Sequence, residues 1–210
     1  MNYLLTRLNA TFRDKKAYFF IVLIMFCLGI SFGLYTVKYM GDSDRSDLTN
    51  YFLSFTNYIG NEPINYGNLL FEVIKKNILI IVPIFLLGLT FFGAPIILVL
   101  DLLKGFTLGY TFSFMVTTFE GKGIGLALVS VIPQNLIYIP CFIALSVISL
   151  SMSTERFKGK FFKNGKNKTF LGDGILNKLI IIIILFVIGI LVETYISPSL
   201  IKFVAKKFYL

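Results

Sequence analysis

The chain contains several long apolar stretches, and each is long enough to cross a lipid bilayer. The hydrocarbon core of a bilayer is about 30 Å thick, and roughly 20 apolar residues in a helix cross it. A crossing segment must bond its own backbone polar groups, so each stretch is predicted to be helical. With 56% hydrophobic and 15% charged residues, the composition agrees. We therefore predict an all-α, polytopic transmembrane helix bundle, a single integral membrane domain over residues 1–210.

Five crossings fit the hydrophobic pattern. The predicted spans are residues 17–37, 77–93, 104–119, 124–152 and 175–196. The first span contains no charged residue and follows a basic segment, which is also the pattern of a secretory signal peptide. No small-x-small cleavage site follows it, so we expect this span to remain in the protein.

The middle of the chain, residues 77–119, is the hardest part to divide into spans. Gly93 and Pro95 interrupt it before the charges of Asp101 and Lys104. We predict a turn at the membrane surface near residues 93–104, with Asp101 and Lys104 as an i, i+3 pair. The alternative is a broken or re-entrant segment in the same region, covered by protein or by a wet cavity.

The distribution of lysine and arginine predicts the orientation. The segment before the first span and the loop 153–174 are basic, and both are expected in the cytoplasm. The amphipathic loop 38–76 has mixed charge and is expected outside, as is the C-terminus, although the lysines of the C-terminal tail do not fit. The net charge of +9 is explained by topology and by attraction to anionic membrane lipid. No nucleic-acid motif accompanies it, so nucleic acid is not an expected partner.

The sequence argues against catalysis. It contains no histidine, which excludes histidine-based triads and the usual zinc or haem ligands. Cys27 and Cys141 lie inside predicted spans, where small buried thiols are expected. We predict no enzyme, no catalytic residue, no metal site and no cofactor.

Small and polar residues inside the spans are the candidates for helix contacts. Two Gly-x-x-x-Gly spacings place glycines on one helix face, where a second helix can approach closely. They are expected to pack the bundle, with self-association as the alternative; the glycines are Gly29, Gly33, Gly105 and Gly109. The intramembrane polar residues are Asp101, Gln134, Asn135 and Glu193. Gln134 and Asn135 follow Pro133 and are expected to satisfy freed backbone groups or to join two helices. Asp101 and Glu193 either reach the membrane interface or, in a transporter, bind an ion or substrate.

The loop 38–76 is the largest segment outside the predicted spans. Part of it has apolar residues at helical spacing, which predicts a helix on the outer leaflet or against the bundle. Ordinary packing explains such an aromatic stripe, and partner docking is the functional alternative. The proposed partner contacts are Tyr51, Phe52, Phe55, Pro63 and Tyr66.

Several of these segments together resemble stage II sporulation protein M. The resemblance rests on residues 88–95 (GLTFFGAP), residues 104–109 (KGFTLG), the span containing Pro133 and Gln134, and the basic loop before a final span. It implies a multi-pass protein of endospore-forming bacteria, in the mother-cell membrane at the septum and later the engulfing membrane. It also implies a scaffold for two peptidoglycan-degrading partners, stage II sporulation proteins D and P.

A small permease or channel subunit is the alternative function. In such a protein, Pro83, Gly93 and Pro95 would break helices around a site lined by Asn135, Asp101 and Glu193. Transporters of this kind often contain internal repeats, and no clear counterpart of the segment 83–95 occurs in the other half of the chain. This favours the scaffold.

Overall fold

The computed structural model describes residues 16–61, 65–118, 120–162 and 175–208, and every regular element in these ranges is a helix. The elements are α1 Lys16–Lys38, α2 Asp42–Asn61, α3 Tyr66–Gly88, α4 Gly93–Thr118, α5 Glu120–Phe162, α6 Ile175–Leu191, a π-helical turn Val192–Ile196, and α7 Ser197–Phe208. The all-α prediction is confirmed. Below, the proximal end of the bundle is the end where α1 begins, and the distal end is the end where α1 finishes.

Within the described residues, four helical segments are long and apolar enough to cross a membrane. They are Lys16–Lys38, Gly93–Thr118, Ala127–Phe161 and Ile175–Phe203. Helix α3 is not among them, because Glu72, Lys75 and Lys76 lie in its first half. Its apolar part, residues 77–88, is about 18 Å long at 1.5 Å per residue. Helix α3 therefore has a polar distal half and an apolar proximal half.

Helices α1 and α4 run parallel and in close contact. Gly29 of α1 faces the backbone of Leu102, and Gly33, one turn further, faces the backbone of Phe106. Two parallel helices require the intervening chain to return to the proximal end, and α3 makes this return. Helix α2 lies at the distal end and packs against α7, which confirms the helix expected within the loop 38–76.

Helix α5 lies at the centre of the bundle. Of its apolar window, 72% is buried, against 22% in each of the other three candidate spans. It contacts α1, α3, α4, α6 and α7. The main core cluster includes Ile84 of α3, Ile97 of α4, Phe142 of α5 and Phe186 of α6. The other spanning helices present much of their apolar surface outward, as expected of helices that face lipid.

The chain reverses between α3 and α4 at residues 89–92, and the turn predicted within residues 93–104 is wrong. Helix α4 continues without interruption through Asp101 and Lys104, so no re-entrant segment occupies this region either. Pro95 lies in the first turn of α4, where a missing N–H breaks no helical hydrogen bond. At Gly93 a Cβ would meet the carbonyl oxygen of Leu87, so the tight reversal requires glycine. The Gly-Ala-Pro sequence therefore starts a helix.

Some helices differ in length from the predicted spans. The predicted span 124–152 is part of the 43-residue helix α5, and the predicted basic loop 153–174 is helical as far as Phe162. Pro133 and Pro140 are both accommodated inside α5. The predicted last span, 175–196, coincides with α6 and the π-helical turn.

Candidate functional site

A polar cavity of about 140 Å³ lies between α3, α4, α5 and the π-helical turn. This volume is that of roughly five water molecules at about 30 Å³ each. All four elements contribute polar side chains to its wall, although three of them belong to segments that are otherwise strongly apolar. The polar cavity is the main candidate site of the protein.

Glu193 lies in the wall of the polar cavity and has two side-chain partners on α3. Its carboxylate lies 3.6 Å from Nζ of Lys76. Asn77 Nδ2 donates a hydrogen bond to it at 3.4 Å and another to the hydroxyl of Tyr138 on α5 at 3.2 Å. Only 15% of the Glu193 side chain is exposed, against 67% for Lys76, which lies at the cavity mouth. Glu193 is therefore part of a network that joins three elements.

The π-helical turn gives Glu193 this position. Pro198 is the second residue after the turn and lacks the N–H that a regular helix would donate to the carbonyl of Thr194. The N–H of Ser197 instead donates to Val192, five residues back. The wider turn directs Glu193 toward α3, while the Ser197 hydroxyl donates to Oε1 of Gln134 on α5 at 2.8 Å. Single π-helical turns inside helices often occur at functional sites.

Gln134 and Asn135 follow Pro133 on the cavity face of α5. Pro133 leaves the carbonyl of Val129 without its usual donor, but the two amides bond the next carbonyls instead. Gln134 donates to the carbonyl oxygen of Ser130, and Asn135 donates to that of Val131 at 2.7 Å. Gln134 also joins α5 to α7 through Ser197, which corresponds to the second of the two predicted roles.

Lys104 lies about 17 Å along α4 from Gly93, near the middle of the helix. Its side chain lines the polar cavity, as do Thr107 and Thr111 on the following turns. Its charge interacts with those of Lys76 and Glu193. Among the described residues, however, Lys104 forms no ion pair within 4.0 Å.

Asp101 faces a different neighbour from Lys104, so the predicted i, i+3 pair is wrong. It is fully buried, and its Oδ1 accepts a hydrogen bond of 2.6 Å from the Ser146 hydroxyl of α5. Its Oδ2 has no hydrogen-bond partner in the described part of the chain. Asp101 therefore joins α4 to α5 beneath the polar cavity and does not reach the interface.

Sequence reasoning did not select three of the cavity residues, Lys76, Asn77 and Tyr138, and it interpreted Lys104 only as the partner of Asp101. A signal for two of them is present, since Lys76 and Asn77 directly precede an apolar run. In α4 a lysine followed by threonines three and seven residues later marks one polar face on an otherwise apolar helix. Within the described residues, no three cysteine, aspartate or glutamate side chains are placed to hold a metal ion.

The four predicted packing glycines meet in one interface inside the chain. A Cβ at Gly29 or Gly33 would strike the backbone of α4, and a Cβ at Gly105 or Gly109 would strike that of α1. The Gly-x-x-x-Gly face of α1 therefore packs against the Gly-x-x-x-Gly face of α4. This interface fixes α4 against α1, while the opposite side of α4 lines the polar cavity.

Of the five predicted partner contacts, Tyr51 and Tyr66 have side chains within the described residues, and both are exposed. Tyr51 on α2 is 74% exposed. The ring of Tyr66 stacks on that of Tyr195 with 5.5 Å between centroids, and both side chains are partly exposed, 39% for Tyr66 and 47% for Tyr195. Phe52 and Phe55 belong to α2, but their side chains, and Pro63 as a whole, lie outside the described residues.

A wider hollow at the distal end was not predicted. This distal groove has a volume of about 540 Å³ and lies between the end of α1, the start of α2, and α4. It is lined by Thr36, Tyr39, Met40, Gly41, Asp44, Asp47, Leu48 and Tyr110. Aromatic rings and two carboxylates share its wall.

The helix lengths, the outward apolar faces and the polar interior define an integral membrane helix bundle. The profile of the stage II sporulation protein M family matches residues 22–198, and the chain belongs to this family. The matched range includes the glycine interface, the polar cavity and the π-helical turn. No curated protein and no solved structure matches the chain. The protein is thus a sporulation-related membrane protein.

Proposed function

We propose that the protein is a non-enzymatic membrane scaffold. It anchors the peptidoglycan-degrading complex that drives engulfment of the forespore during endospore formation. The observation that carries this proposal is the family match over residues 22–198. The proposed location is the mother-cell membrane at the septum and the engulfing membrane. The proximal end faces the cytoplasm, in keeping with the basic segment that precedes α1.

The distal end supports this proposal, since it offers a surface for partner segments next to the membrane. Asp44 and Asp47 give the distal groove negative charge, and Tyr39 and Tyr110 give it aromatic surface. Such a wall suits a basic segment, because lysine and arginine pair with carboxylates and lay their aliphatic stems on apolar surface. The proposed partners are stage II sporulation proteins D and P. Their membrane-proximal segments would dock in the distal groove and beside Tyr51.

The test compares the tagged wild type with two tagged variants in sporulating cells. The double variant Asp44→Asn, Asp47→Asn removes the carboxylates that line the distal groove. Asp42→Asn is the matched control, because Asp42 belongs to the same helical turn but not to the groove wall. After crosslinking during engulfment, each protein is purified in mild detergent and its companions are identified by mass spectrometry. We expect both hydrolases with the wild type and the control, and neither with the double variant. Unchanged recovery with the double variant would remove the distal groove from the proposal, and absence of both hydrolases from the wild type would contradict the scaffold.

A small permease is the second candidate function, and the polar cavity is the observation that favours it. Ionisable side chains at membrane depth often mark a substrate or ion pathway, and Glu193 is the best-connected acidic group of the cavity. Under this hypothesis Glu193→Gln abolishes transport into proteoliposomes. Under the scaffold hypothesis the same variant still supports engulfment.

A further inference from the structure

We propose that the polar cavity binds a small oxyanion, a carboxylate or a phosphate group, with the Lys104 ammonium as its main counter-charge. The site does not depend on the scaffold or on the permease hypothesis, because it concerns binding alone. The argument rests on the charges, the available donors and the size of the cavity.

The charges in the wall leave one positive group without a direct partner. Glu193 pairs with Lys76 at the cavity mouth. Lys104 lines the inner part of the cavity, and no described carboxylate lies within 4.0 Å of it. An ammonium group in the middle of a membrane helix is costly unless water or an anion compensates it. With two lysines and one glutamate, the wall carries one net positive charge, which a single anion neutralises.

The available hydrogen-bond donors also favour an oxyanion as the ligand of the polar cavity. Gln134 and Asn135 each use one amide N–H toward the α5 backbone and retain a second. Thr107 and Thr111 donate to carbonyl groups of their own helix, so their hydroxyls are available only as acceptors. The free groups are thus a cation and neutral donors, the combination that binds carboxylate or phosphate oxygens.

The cavity volume limits the ligand. About 140 Å³ accommodates an anion of a few heavy atoms, such as acetate or inorganic phosphate, together with water. It is too small for a nucleotide. A phosphate group could also belong to a lipid headgroup, because the cavity opens beside Lys76 at a polar part of α3.

The test is calorimetric titration of the protein in nanodiscs of digalactosyldiacylglycerol, an uncharged glycolipid without phosphate, with sodium acetate and with sodium phosphate. Acetamide, the neutral analogue of acetate, is the ligand control. We expect saturable binding of at least one anion and none of acetamide. Lys104→Gln should weaken binding about tenfold or more. Lys75→Gln is the matched control, because Lys75 is exposed on α3 and does not line the cavity. It should leave the affinity unchanged.

A second variant keeps the proposal testable if Lys104→Gln does not fold. Asn135→Ala removes an amide whose hydrogen bond within the described residues goes to a carbonyl of its own helix, so the fold should tolerate it. It should weaken anion binding about fivefold. Absence of saturable binding by wild-type protein, or equal affinities for the wild type, Lys104→Gln and Asn135→Ala, would overturn the proposal.

Nanodiscs of phosphatidylcholine, which is also uncharged overall but carries a phosphate group, distinguish the two sources of the anion. If a lipid phosphate group enters the cavity, added acetate or phosphate binds more weakly in these discs than in the phosphate-free glycolipid discs, and Asn135→Ala reduces the difference. If the ligand is a free anion, its affinity is the same in both discs. Either result supports an oxyanion site and identifies the source.

Discussion

The close crossing of α1 and α4 gives the sharpest stability prediction. An ideal Cβ at Gly29 would lie 2.9 Å from the carbonyl carbon of Leu102 and from the backbone nitrogen of Phe106, with the Leu102 oxygen closer still. Ordinary van der Waals contact begins at 3.4 Å. In Gly29→Ala the two backbones must therefore separate by roughly 1 Å or more, because the Leu102 oxygen is the nearest atom and no flexible side chain is present to move aside.

The expected cost follows from comparison with a helical glycine that has free space. Gly125→Ala in α5 meets nothing within 4 Å, so it gains the better helix propensity of alanine, up to about 1 kcal/mol. Gly29→Ala gains the same propensity but overpacks the interface, which typically costs about 1–3 kcal/mol. We expect the free energy of unfolding of Gly29→Ala to be lower than that of Gly125→Ala by about 1–3 kcal/mol.

The assay is reversible unfolding in mixed micelles by increasing SDS, followed by far-UV circular dichroism. Gly105→Ala should behave like Gly29→Ala, because its Cβ would meet the backbone of Phe26 on α1. The double variant should lose less than the two single losses combined, since one separation of the helices relieves both clashes. Equal stabilities for Gly29→Ala and Gly125→Ala would refute the close crossing.

The same unfolding assay tests two hydrogen bonds between helices. Ser146→Ala removes the donor to the fully buried carboxyl of Asp101 and should lower the free energy of unfolding by about 1–3 kcal/mol; a loss below about 0.5 kcal/mol would show that the bond is not formed. Ser197→Ala removes the hydrogen bond to Gln134 between α7 and α5 and should cost about 1 kcal/mol. After Gln134→Ala the second substitution should cost almost nothing, and a fully retained cost would contradict this contact.

The fold class and the packing glycines could be predicted because both depend on local pattern. An apolar run of membrane length leaves the backbone no alternative to a helix. Two glycines four residues apart necessarily share one helix face. Which helix occupies that face depends on contacts between distant parts of the chain. Sequence spacing alone therefore did not show that Gly29 and Gly105 meet each other.

The turn between α3 and α4 could not be located from the sequence, because a proline can either interrupt a helix or lie in its first turn. Pro95 was interpreted as an interruption, whereas in the structure it lies in the first turn of α4. The error placed Asp101 and Lys104 at the membrane surface. In a continuous helix residues three apart need not pair, and here Asp101 bonds to α5 while Lys104 lines the polar cavity.

The polar cavity depends on four elements whose arrangement no local pattern specifies. Glu193 lies in a π-helical turn shortly before Pro198 and contacts Lys76 and Asn77, more than 100 residues earlier in the chain. Sequence analysis selected Glu193 as an intramembrane acid, but its partners come from distant parts of the chain. The chemistry of single residues was therefore predictable, and their combination into one site was not.

Site-specific photocrosslinking tests the scaffold most directly. A photoreactive benzoylphenylalanine replaces Tyr51, which is 74% exposed on α2, or, as a control, Phe20, which is 58% exposed near the proximal end of α1. Cells are irradiated during engulfment, and adducts are identified by mass spectrometry. We expect an adduct with one of the two wall-degrading proteins from position 51 and none from position 20. If neither position yields such an adduct while the variants support engulfment, the proposed scaffold at the distal end is contradicted.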